Sequence, residues 1–286
     1  MLELLQSSPA ILTVFVVLLG LCVGSFLNVV AYRLPKMIEQ DFAEACREQF
    51  GVPVDTGEPR VSLVRPGSAC PACRTPIKPW HNLPILGWLV LRGRCAACRA
   101  PISIQYPAVE LATSVLSAVC VWRFGYSLQL LPSLILTWSL IALTVTDLRT
   151  MYLPDNLTLP LLWLGLLLSI GPVFAEPVAA IAGAAAGYLM LWSIFWAFKL
   201  VTGKEGMGYG DFKLMGALGA WLGWQALPQI VLLSAVVGAA VGIALMAARK
   251  AEWSSRIPFG PYIAGAGWIA LIWGETINTL YLGAAG

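Results

Sequence analysis

The reactive residues of this sequence fall into two sets. Asp147 closes an apolar run in TVTDLRTMYLPD, and Asp211 follows three glycines in GMGYGDFKLMG, where another apolar run begins. Two carboxylates that meet from different segments cannot both ionise cheaply, so they share a proton. One then serves as base toward a water and the other as acid toward a carbonyl oxygen. Such a pair titrates as a unit and has the chemistry needed to hydrolyse a peptide bond. The second set is Cys70, Cys73, Cys95 and Cys98, spaced C-x2-C-x21-C-x2-C. Each pair chelates from one tight turn, and four thiolates complete a closed tetrahedral shell for one structural Zn²⁺ per chain. Iron accepts the same donors. Arg74, Lys78, Arg92, Arg94 and Arg99 lie nearby in sequence to offset the charge of such a centre.

Each set has a plainer alternative. Asp211 is equally well placed to cap its own helix, where the dipole favours an acid. Asp147 ends a helical run, where the dipole opposes it. The glycines before Asp211 allow unusual backbone angles and close approach of an extended peptide. The cysteines could form disulfides or remain buried thiols, but a cytoplasmic location disfavours the first. Cys22 and Cys120 read as packing residues. His81 is the only histidine, which excludes an HExxH zinc site, and no GxSxG elbow is present. Glu110, in QYPAVE, is either an amine-orienting group or a charge near a helix N-terminus.

The segments that must position these residues are membrane-like. The chain has 286 residues, of which 58% are hydrophobic and 12% charged, with mean hydropathy +0.77. Soluble chains carry about 25% charged residues. The net charge of +3 gives no reason to expect nucleic acid as a partner. Apolar runs near 9–31, 106–124, 128–146, 157–172, 177–199, 212–224, 226–248 and 259–282 approach the ~20 residues that cross a bilayer. All Lys and Arg except Arg123 lie in, or border, the loops 32–105, 147–156, 200–211 and 249–258. That asymmetry sets those loops in the cytoplasm and both termini outside. The run 212–224 is short, which predicts bilayer thinning or a submerged N-terminal end. Gly183 and Gly187 predict a small-residue packing face. No internal repeat is expected.

The predicted architecture is an all-α polytopic membrane protein of about eight transmembrane helices, with a small cytoplasmic zinc-binding domain between helices 1 and 2. Its parts are residues 1–31, a first transmembrane helix; 32–105, the tetracysteine domain; and 106–286, a bundle of seven helices. The tetracysteine domain has few large apolar side chains, so a metal is its expected staple. From the residues alone, a transporter relaying protons through Asp147 and Asp211 is a competing class, as is a metal-dependent scaffold.

Taken together, GSFLNVVAYRLP (24–35), the paired CxxC, QYPAVE (105–110), the D-x6-LPD stretch (147–155) and GYGDFKLMG resemble the bacterial type IV prepilin peptidases. The GxGD element alone is shared with presenilin-like intramembrane aspartyl proteases. The resemblance runs from about residue 20 to 265. It implies a bifunctional leader peptidase and N-methyltransferase of the bacterial inner membrane, with its active site on the cytoplasmic side and both termini periplasmic. It implies Asp147 and Asp211 as catalytic aspartates and Cys70, Cys73, Cys95 and Cys98 as the metal site. The implied substrates are type IV prepilins and type II secretion pseudopilins, cut after glycine, usually before phenylalanine. The implied methyl donor is S-adenosylmethionine, for which the sequence carries no dinucleotide-type glycine motif.

Overall fold

Helix formation begins where the sequence supplies a cap. Ser8 is in extended conformation and its hydroxyl accepts from Ile11 N at 3.4 Å, with Pro9 in the first turn. After a short α1 (Leu2–Ser7), α2 runs unbroken from Pro9 to Phe50, 42 residues, and stops at Gly51 in the left-handed region. The first apolar span and the first part of 32–105 are therefore one helix. Pro35 lies inside it, removing one backbone donor without ending it. The computed structural model describes residues 2–51, 60–248 and 257–283. Arg249, Lys250 and Arg256, which counted toward the orientation argument, lie outside the described residues.

The chain divides into two units, Met1–Tyr126 and Ser127–Gly286. In the first, α3 (Leu86–Val90) belongs to the cysteine module and α4 (Gln105–Phe124) packs along α2. The α2–α4 contact is close because Gly20 and Gly24 have no side chain. A Cβ on Gly20 would come 2.9 Å from Ser114 Cα, and one on Gly24 would come 2.7 Å from Glu110 Cα. Asn28, 2% exposed, donates from Nδ2 to the carbonyls of Gly24 and Tyr106, each at 3.2 Å.

The second unit contains α5 (Leu130–Thr150), α6 (Asp155–Ser169), α7 (Pro177–Thr202), α8 (Tyr209–Leu222), α9 (Leu227–Ala247) and α10 (Gly260–Gly283). At its centre is α8, packed by α6, α7 and α10. From Asp211 to Trp221 every residue but Lys213 is buried. A helix that is apolar all round belongs in an interior. Because α8 touches protein on nearly every side, its 14 residues need not match the hydrocarbon thickness, and the expected thinning is not required. The expected packing face is present: Gly183 packs on Gly219, and a Cβ on Gly187 would come 2.6 Å from Met215 O. Gly165 admits the Trp221 ring, whose Nε1 donates to Leu161 O at 2.7 Å.

Among the described residues the fold is all-helical apart from two isolated bridges. Each expected span coincides with a helix. Among the described residues five helices, Pro9–Phe50, Gln105–Phe124, Leu130–Thr150, Pro177–Thr202 and Trp224–Ala247, have the length and apolarity to cross a bilayer, and Asp155–Ser169 is a shorter apolar helix. Large apolar side chains stand exposed on α2 (Val14, Leu18), α7 (Val178, Ile181) and α9 (Val236, Ile243), as on a surface that lipid covers.

The α7–α8 contact yields a test. Gly183→Leu forces a side chain into the backbone of α8, and overpacking of this kind costs ~1–3 kcal/mol. In detergent the variant should unfold at a clearly lower temperature than wild type, whereas Val236→Leu, on an exposed face of α9, should leave the unfolding temperature unchanged.

Candidate active site and metal centre

Asp147 lies in the last turn of α5, and Met151 in the left-handed region closes that helix by donating to Asp147 O at 2.8 Å. Its side chain does not serve its own helix. Oδ2 accepts from Gly260 N at 3.0 Å, the first residue of α10. The carboxylate thus meets the favourable end of another helix's dipole. Asp211 sits in the first turn of α8, and its Oδ2 accepts from Gly208 N at 3.1 Å. Both residues are buried, at 5% and 6% exposed, and the glycines beside them, Gly260 against Asp147 and Gly210 before Asp211, both close on Leu153. Each therefore has one oxygen fixed by a glycine amide. Neither Oδ1 has a protein hydrogen bond among the described residues.

Leu153, from the LPD stretch, fills the space beneath both aspartates. A Cβ on Gly210 would come 2.7 Å from Leu153 Cβ. One on Gly260 would come 3.1 Å from Leu153 Cδ2 and 2.6 Å from Asp147 Oδ2. The glycines of GMGYGD are thus explained differently from the sequence expectation. None of Gly206, Gly208 and Gly210 has a positive φ. Gly210 and Gly206 are small because Leu153 and the Phe198 ring press on them, and Gly208 supplies the amide that holds Asp211. Asp155 pairs with Lys213, whose Nζ lies 2.7 Å from both carboxylate oxygens, tying the start of α6 to α8. Phe195, Tyr209 and Phe212 stack with centroids 5.4–5.6 Å apart beside Asp211.

Glu110 belongs to the first unit. It is buried, and its Oε2 accepts from Ile85 N at 2.7 Å. Ile85 has φ 59°, which is strained for a β-branched residue, and it immediately precedes α3. The carboxylate thus caps α3 of the cysteine module rather than its own helix. His81, on the 3₁₀ turn Pro79–Asn82, stacks edge-on with Trp80. Cys120 is buried as expected, but Cys22 is exposed on α2.

The four cysteines come together. Their sulfurs all lie within 4.8 Å of one another, with Cys70–Cys98 at 3.8 Å and Cys73–Cys95 at 4.0 Å. Tetrahedral Zn–S bonds of ~2.3 Å place sulfurs ~3.8 Å apart, so the cluster fits zinc. The two halves share one local fold. Cys70 N donates to Thr75 O and Arg74 N to Cys70 O; Cys95 N donates to Ala100 O and Arg99 N to Cys95 O. Arg74 and Arg99 are both left-handed, and a bridge closes each turn, Ala69 with Pro76 and Arg94 with Pro101. The sequence contains the corresponding repeat, CPACRTPI at 70–77 and CAACRAPI at 95–102. An internal repeat therefore exists, contrary to expectation; it is eight residues long and escapes a search at domain scale. The Thr75 hydroxyl and amide draw the Cys73 thiol down to about 6. Cys98 moves the other way: the Ala100 amide lowers it, but Cys73, burial and the other thiols push it up to about 11. Thiols that oppose one another's ionisation need a cation among them before all four can ionise.

Residues 18–124 match the family model of the bacterial peptidase A24 N-terminal domain, and residues 134–243 match that of the type IV leader peptidase family. The chain is 51% identical to a prepilin leader peptidase/N-methyltransferase of Pseudomonas aeruginosa, over 100% of this chain and 99% of that protein. It is 54% identical to one from Aeromonas hydrophila, over 99% and 98% of the two chains. Identity to one from Burkholderia pseudomallei is 48%, over 93% and 87%. No solved structure matches the chain.

Elemental analysis of the purified protein should find about one zinc per chain, as a single closed four-thiolate site requires. Cys70→Ser or Cys95→Ser should lose the metal and expose the remaining thiols to alkylation, while Cys22→Ser should keep it.

Proposed function

The chain belongs to the type IV leader peptidase family, and we infer that it removes the leader from prepilins and N-methylates the residue so exposed. The comparisons favour this reading over a proton-coupled transporter. The peptidase chemistry is assigned to Asp147 and Asp211. The observation that carries the assignment is the pairing of two buried carboxylates from α5 and α8, each with Oδ2 held by a glycine amide and Oδ1 left for a reactant.

In this mechanism a water lies between the two Oδ1 atoms. The ionised aspartate takes a proton from the water as its oxygen attacks the scissile carbonyl carbon. The protonated aspartate gives its proton to the carbonyl oxygen. Collapse of the tetrahedral diol breaks the C–N bond: the proton gained from the water passes to the departing amine, and a diol hydroxyl returns its proton to the other aspartate as the carboxyl product forms. The dyad returns to sharing one proton. The glycine amides keep the two side chains from rotating toward each other, and Leu153 holds α8 and α10 at a fixed spacing beneath them.

Eight helices cross the inner membrane with both termini periplasmic, and α8 crosses inside the bundle. The aspartates then lie at the cytoplasmic boundary, where a basic leader would leave the bilayer and the apolar helix of a prepilin or a type II secretion pseudopilin would enter it. The four-cysteine centre holds structural zinc. S-adenosylmethionine donates the methyl group. Among the described residues no strand–turn–helix exists to cradle it in the Rossmann manner, so no step of methyl transfer is assigned to a residue.

Incubation with a prepilin and S-adenosylmethionine, followed by mass spectrometry, tests the dyad. Asp147→Asn and Asp211→Asn should each abolish leader removal, a loss of at least about 10³-fold, with zinc content and unfolding temperature retained. Both variants should still methylate a pilin supplied already cut. Near-normal cleavage by either one would remove the dyad assignment.

A further inference from the structure

The cysteine module lies along α2, and α2 shows how deep each part of it sits. Arg60 pairs with Asp41 and Glu44, and Val61 N donates to Gln40. The chain next meets Arg33, whose guanidinium donates to the carbonyls of Ser62, Leu63 and Pro66. The module therefore runs back along the extension of α2 toward the apolar span. It goes further: Glu110 holds Ile85 N at 2.7 Å, and Glu110 is level with Gly24 of α2. Gly24 precedes the end of the apolar span at residue 31 by roughly 10 Å of helix at ~1.5 Å per residue. The start of α3 is thus fixed inside the depth of the span, not in the water beyond it.

The side chains at that depth are of the kind a bilayer surface holds. Trp80, Leu83, Leu86, Leu89 and Val90 are each more than half exposed. Lys78 lies 5.4 Å from the Trp80 ring centroid, and Arg92 and Arg94 follow α3. Such a cluster is costly in water. Trp beside apolar residues with a basic rim matches the interfacial region of an anionic membrane. On α2 itself Phe26 and Tyr32 are exposed within or just beyond the apolar span.

We propose that residues 79–90 of the cysteine module form an interfacial anchor seated in the headgroup and upper acyl layer of an anionic bilayer. The proposal rests on the reading of α2 and α4 as membrane spans. The metal centre would then be held against the membrane rather than swinging free in solution, and the same Glu110–Ile85 bond would fix its height.

The test uses the full-length, metal-loaded protein in vesicles of phosphatidylethanolamine and phosphatidylglycerol, without substrate. The photocrosslinker p-benzoylphenylalanine is placed in turn at Leu18, Leu86, Leu89 and Phe50, and adducts are identified by mass spectrometry. Leu86 and Leu89 should give lipid adducts at a yield comparable to Leu18 on the exposed face of α2, and roughly tenfold above Phe50 at the far end of α2. Lipid adducts at Leu18 with only solvent or protein adducts at Leu86 and Leu89 would overturn the anchor, a protein adduct identifying the covering chain instead. Absence of a lipid adduct at Leu18 would overturn the membrane reading of α2, and the anchor with it.

Discussion

The enclosure of α8 is the constraint on which the second unit depends. A helix apolar on every side must be surrounded, and three helices must come close enough to do so. Glycines make the approach possible: Gly183 against Gly219, Gly187 against Met215, Gly165 against Trp221 and Gly267 against Leu218. In lipid there is little hydrophobic gain from bringing helices together, so close backbone packing supplies the attraction. The result is a rigid central rod with Asp211 at one end. Lys213, the one residue between Asp211 and Trp221 that is not buried, pairs with Asp155 and fixes the rod to α6.

Helix ends settle the electrostatics. Burying a carboxylate is expensive unless something answers its charge. Asp211 uses the amide that precedes its own helix, and Asp147 uses the first amide of α10. Both acids therefore lie at the positive ends of helices, although one of them ends a helix of its own. Among the described residues neither acid is ion-paired with an arginine or lysine, which would hold the acid and remove it from chemistry.

Much of this was legible in the sequence, and the gaps have physical causes. Apolar runs and the loop cations gave the positions of the helices, because a bilayer demands length and the cytoplasmic side collects Lys and Arg. The cysteine spacing gave the cluster, because two tight chelating turns need no long-range information. The partner of Asp147 was not legible: Gly260 lies 113 residues away, and a glycine amide has no side chain to announce it. Leu153 stood out only as part of the LPD motif, and its packing against Gly210 and Gly260 could not be read from the sequence. One partner of Glu110 was hidden in the same way, since Ile85 contributes an amide and not a side chain. Of the two reasons the sequence suggested for the glycines before Asp211, unusual backbone angles are not used, and Gly206 and Gly210 are small because neighbouring side chains press on them.

The paired turns of the cysteine module have a topological consequence. A metal shared by Cys73 and Cys95 would close the intervening residues 74–94 into a ring, and α3 lies within that ring. Opening it would return the entropy of a loop of that length, a few kcal/mol on the usual logarithmic scaling, and would leave α3 held by Glu110 at its start and by the Trp88 Nε1–Ile102 O bond. Metal occupancy would then act as a clasp on the position of a helix that contributes no ligand to the metal.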